Sequence, residues 1–415
     1  MTPLLRPFLL VAAAALLPVA AQAQSAVAPL TMPQAVAYAV AHNPALLAAQ
    51  QTLLSLKGQQ VQAGLRQNPD FSLYGTNLSN PAASSTPYGY SLQVSRLFER
   101  GQKRRWRLEG ASAASQQGTA QFNDQQRQTT LAVRQAFTAM VVAKAALKLA
   151  QDNLADYRQQ LEINRTRYQA GDLGKLDFER LDLQSAQYES DAATAETNLG
   201  QASGQLQALL GYPQPRPGFD VAGDLIPPPI TGTLASLEQQ ALAARPDYQA
   251  AQSAVRVADA DVKLAYANGT TDPTLEGEYD HSGTLSSYGF YVTVPIRIFD
   301  RNQGNKETSK YQAQSSRFAE TAARNQVYFD IDRAWIAYTN ATALSARYNS
   351  HYVDEAKDVL SIAQFAYQHG ALALVDYLNA LQEERTISLD ALDADAQTWQ
   401  AIHQLSFASA TELVP

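Results

Sequence analysis

The chain has 415 residues, a formal net charge of −7 and no cysteine. The absence of cysteine excludes disulfides, thiol catalysis and thiolate metal sites, and the negative charge argues against nucleic acid as a partner. Alanine and glutamine are abundant and the 19 prolines are partly clustered, a composition that favours long helices over a β-sandwich or an α/β domain.

The N-terminus predicts a secretory signal peptide over residues 1–23. Arg6 supplies the positive charge, residues 8–17 are apolar, and Ala21-Gln22-Ala23 forms a small-residue cleavage site. The alternative, a retained membrane anchor, conflicts with the short apolar run, because a spanning helix needs about 20 residues. No cysteine follows the cleavage site, so no N-terminal lipid anchor is expected. No second long apolar stretch follows, which argues against a helical membrane protein but leaves a β-barrel open.

The mature chain contains a long internal repeat, with residues 24–210 forming the first half and 233–415 the second. A Pro- and Gly-rich linker, residues 211–232, joins them, and its proline run 227–229 cannot be helical. Matched landmarks recur in the same order: Asn43-Pro44 with Arg245-Pro246, Tyr88-Gly89-Tyr90 with Tyr288-Gly289-Phe290, Phe98-Glu99-Arg100 with Phe299-Asp300-Arg301, and Tyr168-Gln169-Ala170-Gly171 with Tyr367-Gln368-His369-Gly370. The pattern predicts duplication of a whole subdomain of helix, two strands and a long helical hairpin.

The first helix is expected to begin at Thr31, with Gln34 completing a capping box. We expect it to end before Asn68-Pro69, because a residue that precedes proline avoids the α region.

Alternating apolar and polar residues then predict a strand pair in each half. The strands are expected near 70–78 and 88–98 in the first half, and near 273–281 and 288–299 in the second. The second pair alternates most clearly, with its apolar positions at Tyr288, Phe290, Val292, Val294 and Ile296. These five residues are predicted to face lipid. The alternative is two ordinary hairpins on a globular core, but an isolated hairpin is only marginally stable.

Each strand pair is followed by an exceptionally long helical hairpin. No proline interrupts residues 103–167, and apolar or small residues recur there with a heptad spacing typical of coiled coils. The hairpins are expected to turn at tips near 168–177 and 367–376, around Gly171 and Gly370. A cytoskeletal or adhesive coiled coil would share this pattern, but not the strand pairs.

Four strands cannot close a membrane barrel, since the smallest such barrels have eight. Open strand edges in lipid would leave polar groups unsatisfied, at several kcal/mol each. The predicted fold is therefore mainly α with a small β part, and the strand count requires several copies to close a barrel.

The Thr31, Ala35, Asn43-Pro44 pattern, the duplicated hairpins and the two Tyr-x-x-Gly turns resemble the TolC family of outer-membrane factors. The resemblance covers nearly the whole mature chain. It implies a homotrimer with a 12-stranded β-barrel in the outer membrane, continued by a periplasmic α-helical barrel. It also implies work with a periplasmic adaptor protein and an inner-membrane pump, for which the RND type is expected.

Within that family, the segment 98–104 and the segment 294–304 are similar to those of the CzcC-like heavy-metal efflux branch. Gln102 stands where that branch has a second glycine. The neighbouring Lys103, Arg104, Arg105 and Arg107 are interpreted as a solvated basic cluster rather than a substrate site.

The resemblance also assigns roles at the hairpin tips, which form the closed periplasmic entrance in the family. Asp376 matches an acidic residue that would form a ring in the trimer, and Asn379 occupies the position of a second ring. Tyr367 and Asp177 match a pair that hydrogen-bonds between hairpins and keeps the entrance shut. Alternatively, Gly171 and Gly370 end helices and the two aspartates cap the next ones.

No catalytic constellation is present, so the chain is not expected to be an enzyme or to hold a cofactor. The five histidines have no ligand spacing, and Asp390, Asp393 and Asp395 are interpreted as an exposed helix face. The expected function is passive conduction in a tripartite efflux system, with divalent heavy-metal cations as cargo. A drug-efflux or type I secretion duct of the same family is the nearer alternative, and a poreless periplasmic scaffold the farther one.

Overall fold

The computed structural model describes residues 29–76 and 88–414. The predicted signal peptide, residues 77–78 of the first predicted strand and the whole loop 79–87 lie outside the described residues. The helices are α1 (Met32–His42), α2 (Pro44–Ala63), α3 (Lys103–Ala170), α4 (Lys175–Leu210), α5 (Leu234–Ala244), α6 (Pro246–Ala267), α7 (Gln303–Arg347), α8 (Val353–Gln368) and α9 (Leu374–Ser409). The strands are β1 (Asp70–Thr76), β2 (Gly89–Leu97), β3 (Thr274–Ser282) and β4 (Leu285–Thr293). The prediction of a mainly helical chain with a small antiparallel sheet is confirmed.

The first helix is broken in two, which corrects the expectation of one helix up to Pro69. Asn43 leaves the helical region with φ −65° and ψ 121°, and its side-chain oxygen accepts from the N–H groups of Ala45 and Leu46. The residue therefore caps α2 where Pro44 prevents continuation. Arg245 makes the equivalent break between α5 and α6, with φ −64° and ψ 119°.

These two break residues also anchor the helix ends in the same way in both repeats. The Asn43 amide donates to the carbonyl of Leu209 at 2.8 Å, and the Arg245 guanidinium donates to the carbonyl of Ala408 at 3.4 Å. Arg245 is buried and paired with Asp330 at 3.0 Å. Each break therefore ties the start of a repeat to the end of its return helix.

The four strands form one antiparallel sheet in the order β1-β2-β3-β4. The two hairpins are joined through β2 and β3, where Leu92 lies opposite Tyr279. Among the described strands, β1 and β4 each have one partner and form the two edges of the sheet.

The strand predicted over 288–299 is displaced, because β4 covers Leu285–Thr293. It pairs with β3 across a two-residue turn that contains Gly283 at φ 63°. Pro295 has no N–H to donate to a ladder, and β3 offers no partner beyond Thr274. Val294 and Ile296, predicted as lipid-facing strand residues, therefore lie beyond the strand.

The helix α3 has 68 residues and, at 1.5 Å per residue, extends for about 100 Å. Near its middle, Val133 and Met140 are buried against Ala39 of α1 and Leu206 of α4. By length and composition, one 18-residue window of α3, of mean hydropathy 1.2, is apolar enough to cross a membrane, contrary to the expectation of no second apolar stretch. One third of that window is buried within the described chain.

The second long hairpin differs from the first by a π-helical turn, Tyr348–Tyr352, between α7 and α8. Ser345 and Asn349 donate to the carboxylate of Asp395 at 2.5 Å and 2.8 Å. Asp395 is only 4% exposed. The expected exposed aspartate face is therefore wrong for this residue, although Asp390 and Asp393 are exposed.

Candidate functional site: the polar sheet face and the hairpin tips

The strand register gives the sheet one apolar and one polar face. Phe71, Leu92, Tyr279 and Phe290 belong to the apolar set. Of the five residues predicted to face lipid, Tyr288, Phe290 and Val292 lie in β4 on this face and are 86%, 71% and 55% exposed. Val294 and Ile296 are also exposed, but outside the strand.

The opposite face of the sheet is polar and acidic. Glu276, Glu278 and Asp280 alternate along β3, and Asp70 lies on the same face of β1. Among the strand residues that the structure describes, no lysine or arginine shares this face with them. A surface of this kind attracts cations and repels anions.

Neutral donors of the neighbouring strand hold the central carboxylate in place. The Ser91 hydroxyl donates to Glu278 Oε1 at 2.6 Å, and the Gln93 amide donates to the same oxygen at 3.0 Å. Sequence analysis missed these acidic residues as functional candidates. Their alternation with Leu275, Gly277 and Tyr279 was the signal that could have identified them.

The junction between sheet and helices is held by a buried ion pair. Lys103 is 6% exposed, and its ammonium donates to Asp272 at 2.5 Å and to the carbonyl of Thr270 at 3.0 Å. Burial alone would raise the pKa of Asp272, but the N–H of Arg100 and the Lys103 ammonium hold that pKa below its usual value. The interpretation of Lys103 as part of a solvated cluster is therefore wrong.

The other basic residues of that segment are more accessible. Arg107 is half-buried and makes a bidentate pair with Glu99, whereas Arg104 and Arg105 are exposed. Gln102 precedes α3 with φ 59°, in the left-handed region, and Asn302 does so before α7 with φ 62°. Both long helices thus begin with the same unusual backbone turn.

Each hairpin tip turns at a glycine and is closed by a pair of stacked aromatic rings. Gly171 and Gly370 have φ of 87° and 72°, a conformation that glycine adopts without strain. Tyr168 stacks on Phe178 with ring centroids 5.0 Å apart, and Tyr367 stacks on Tyr377 at the same separation. The tip geometry is therefore duplicated, like the sequence.

The tip aspartates occupy equivalent positions in the first turn of the return helices. Asp177 is the third residue of α4 and half-buried, while Asp376 is the third residue of α9 and exposed, as is Asn379. Gly174 and Ala373, not the aspartates, are the N-cap residues. A carboxylate in the first turn still interacts favourably with the helix dipole.

Tyr367 is buried at 8% exposure between the two hairpins. Its hydroxyl donates to the side-chain oxygen of Asn164 at 3.4 Å, and Asn164 is itself 3% exposed. Burial raises the pKa of Tyr367, and the nearby carboxylate of Asp177 adds to this, against the opposing charge of Arg167. Within the described chain the tyrosine is thus bonded to Asn164, a residue of the heptad seam, and not to Asp177.

The described residues contain no group of three or more His, Asp or Glu side chains placed to hold a metal ion. His403 is 3% exposed and its Nε2 lies 2.9 Å from the hydroxyl of Thr138. Burial, with the charge of Arg134, lowers the pKa of His403 to about 4. This histidine is a neutral packing residue.

The described chain thus combines a four-stranded sheet, with one apolar and one acidic face, and long helices, of which α3 extends for about 100 Å. In comparisons with known proteins, residues 36–212, less than half of the chain, match the family model described as outer membrane efflux protein. The chain is therefore similar to outer membrane efflux proteins over its first half.

Curated proteins resemble the chain at low identity. The cobalt-zinc-cadmium resistance protein CzcC of Cupriavidus metallidurans is 24% identical over 91% of this chain and 89% of its own length. The probable outer membrane lipoprotein SilC of Salmonella typhimurium is 25% identical over 61% of this chain, which spans only 57% of that protein. Among solved structures, CusC shares the fold, with a TM-score of 0.78, 18% identity and 91% coverage of both chains.

Proposed function

We propose that the chain is one subunit of a homotrimer that conducts divalent heavy-metal cations passively across the outer membrane. The observation that carries this proposal is the acidic face of the sheet, with Asp70, Glu276, Glu278 and Asp280 on one side. Three copies would close a 12-stranded barrel, which removes the open edges at β1 and β4. The apolar face then meets lipid and the acidic face lines the lumen.

A passive channel in the outer membrane has no source of energy of its own. Active export through it therefore requires partner proteins that reach the inner membrane. The long helices would form a periplasmic tube that meets an adaptor protein and an inner-membrane pump of the RND type. The names of the relatives CzcC, a cobalt-zinc-cadmium resistance protein, and CusC, a cation efflux system protein, support metal cations as the cargo. A drug-efflux or type I secretion duct remains the second candidate, since the pump selects the cargo in such assemblies.

Metal tolerance of a deletion strain tests the cargo. Deletion should sensitise cells to cobalt, zinc or cadmium, and the wild-type gene should restore growth. A gene carrying Glu276→Gln, Glu278→Gln and Asp280→Asn should restore it only in part, whereas Glu162→Gln, on an exposed part of α3, should restore it fully. Sensitivity to organic drugs without sensitivity to metals would instead support the drug duct.

The hairpin tips would form the periplasmic entrance of this tube. Three-fold symmetry would bring the exposed Asp376 carboxylates round one axis, where they favour cations. Asp376→Asn should then reduce cation selectivity and weaken block by trivalent metal ions in single-channel recordings. Asn379→Asp should strengthen both effects by adding a second ring. Unchanged selectivity in Asp376→Asn would leave that residue with its helix-dipole role alone.

The buried hydroxyl of Tyr367 would help keep the entrance shut by holding the second hairpin against Asn164 of the first. Tyr367→Phe should therefore raise basal conductance, and Asn164→Leu should do the same. Asp177 would contribute to closure through the neighbouring hairpin of the assembled tube. Tyr168→Phe, at the equivalent ring of the first hairpin, is the matched control and should leave conductance unchanged. Equal conductance in all of these variants would contradict this role.

A further inference from the structure

The helices near the sheet form a row in which neighbours pack side by side. The helix α2 packs on α3, α3 on α6, and α6 on α7. Inner members of this row therefore have a partner on both flanks. Within the described chain, α2 and α7 lie at its two ends.

The contact between α3 and α6 is also the contact between the two repeats. Arg256 donates to Gln116 at 3.1 Å, and Lys263 pairs with Glu109 at 2.7 Å. Between these pairs the helices approach closely, since a Cβ on Gly110 would lie 3.5 Å from the Cβ of Ala260.

Through the internal repeat, the α6 residues that contact α3 correspond to exposed residues of α2. With Pro246 aligned on Pro44, the residues Arg256, Ala260 and Lys263 correspond to Leu54, Gly58 and Val61. Leu54 and Val61 are 50% and 68% exposed. A Cβ on Gly58 would meet nothing within 4 Å, although glycine is a poor residue for a helix interior.

In the same way, the α3 residues that contact α6 correspond to exposed residues of α7. With Phe98 aligned on Phe299, Gly110 corresponds to Tyr311, which is 74% exposed. Phe318 and Ile336, 68% and 59% exposed, follow on the same side of the helix. This side lies opposite the buried residues of α7 such as Ala313, because the helix advances 100° per residue.

We infer that a second copy of this chain covers these surfaces, with α7 of one copy packed on α2 of the next and the ring of Tyr311 seated on Gly58. The contact repeats the junction inside the chain, but a large and a small residue replace the small pair Gly110 and Ala260. Such a head-to-tail contact uses two different surfaces, so it propagates from copy to copy, and it gives a ring when the rotation between copies closes, as in a trimer. The inference rests on the proposed homotrimer and specifies its register, that is, which residues of α7 and α2 meet between neighbouring copies.

Disulfide trapping tests the register directly, because the chain has no cysteine of its own. Gly58→Cys combined with Tyr311→Cys should give covalent two- and three-chain species in membranes under oxidising conditions. A bond within one chain is excluded, since two helices separate α2 from α7 and a disulfide needs Cα atoms within about 7 Å. Gln59→Cys with Tyr311→Cys is the control, because Gln59 is exposed on another side of α2.

The outcomes separate this inference from the proposed function. Single chains after oxidation, in a particle that still has the mass of three chains, would overturn the register and leave the trimer intact. A single-chain particle would overturn both.

Exchanging the small and the large residue of the proposed contact provides a second test. Gly58→Tyr should lower the assembled fraction by at least about tenfold, because overpacking a contact costs enough to shift such an equilibrium. Tyr311→Gly in the same chain should restore assembly, and Gln59→Tyr should have no effect. Normal assembly of Gly58→Tyr, or a defect that Tyr311→Gly does not restore, would contradict the pairing.

Discussion

Gly101 shows how a single backbone position connects the sheet to the long helix. It has φ 68°, and a Cβ at this position would lie 2.6 Å from the hydroxyl of Thr270 and 3.1 Å from the carbonyl of Ala267. Both the left-handed conformation and the lack of space require glycine.

Gly101→Ala is therefore expected to destabilise the protein by about 1–2 kcal/mol from the backbone conformation alone, with the steric contact adding to it. Thermal unfolding in detergent measures the effect. The control is Gly304→Ala, in the first turn of α7, where a Cβ meets nothing within 4 Å. That control should be neutral or slightly stabilising. Equal loss in both variants would contradict the role of Gly101.

His403 provides a prediction of pH dependence. Its pKa is about 4 in the folded protein against 6.5 for an unperturbed histidine. Between these values the folded state binds fewer protons than the unfolded state, so stability falls as the pH falls from 6.5 to about 4. The shift corresponds to a loss of about 3 kcal/mol per chain.

His403→Gln should remove this part of the pH dependence. The measurement compares unfolding temperatures at pH 7.5 and pH 4.5 for both proteins in the same detergent. A wild-type protein that loses no more stability than the variant would show that His403 is not kept neutral.

At the scale of single residues, the sequence predicted the turn glycines but not the burial of polar residues. The positions of Gly171 and Gly370 followed from local pattern. Lys103 and Asp272 are 169 residues apart in the chain, so nothing near Lys103 indicated a buried partner. Asn164 likewise has its partner Tyr367 on the other hairpin.

At the scale of elements, alternation located the strands, while their ends depended on pairing. The apolar alternation of 288–298 continues past β4, yet the strand stops at Thr293. Pro295 has no N–H to donate to a neighbouring strand, and β3 begins at Thr274 directly opposite Thr293. Similarly, heptads predicted the long hairpins but not the π-helical turn, where Ser345 of α7 and Asn349 of the turn donate hydrogen bonds to Asp395 on the return helix.

The two faces of β4 support a matched pair of substitutions. Val292 lies on the apolar face opposite Leu275, and Thr293 lies on the polar face opposite Thr274. Val292→Arg should destabilise the barrel by about 2–4 kcal/mol if this face meets lipid at mid-membrane. Thr293→Arg should fold normally and alter conductance, because it would add a positive charge to the face proposed to line the lumen.

Heat-modified mobility on a gel, which follows barrel unfolding, measures the first effect, and single-channel recording measures the second. If both variants unfold alike, the assignment of the faces to lipid and lumen is wrong.

At the scale of the whole molecule, each half of the predicted repeat leaves one edge without a partner among the described residues. The sheet ends at β1 and β4, and the row of helices ends at α2 and α7. The proposed closure through three copies would satisfy both sets of edges at once. Detergent-extracted protein should therefore have the mass of three chains, and a monodisperse single chain would contradict the assembly.

Planar-bilayer recording of the purified wild-type protein, under a salt gradient, tests the central claim most directly. The account predicts discrete conductance steps with a reversal potential that shows cation selectivity, because Glu276, Glu278 and Asp280 would line the lumen. It also predicts that replacing these three residues by their amides moves the reversal potential towards zero. A bilayer without conductance steps, or steps selective for anions, would contradict a cation-conducting channel.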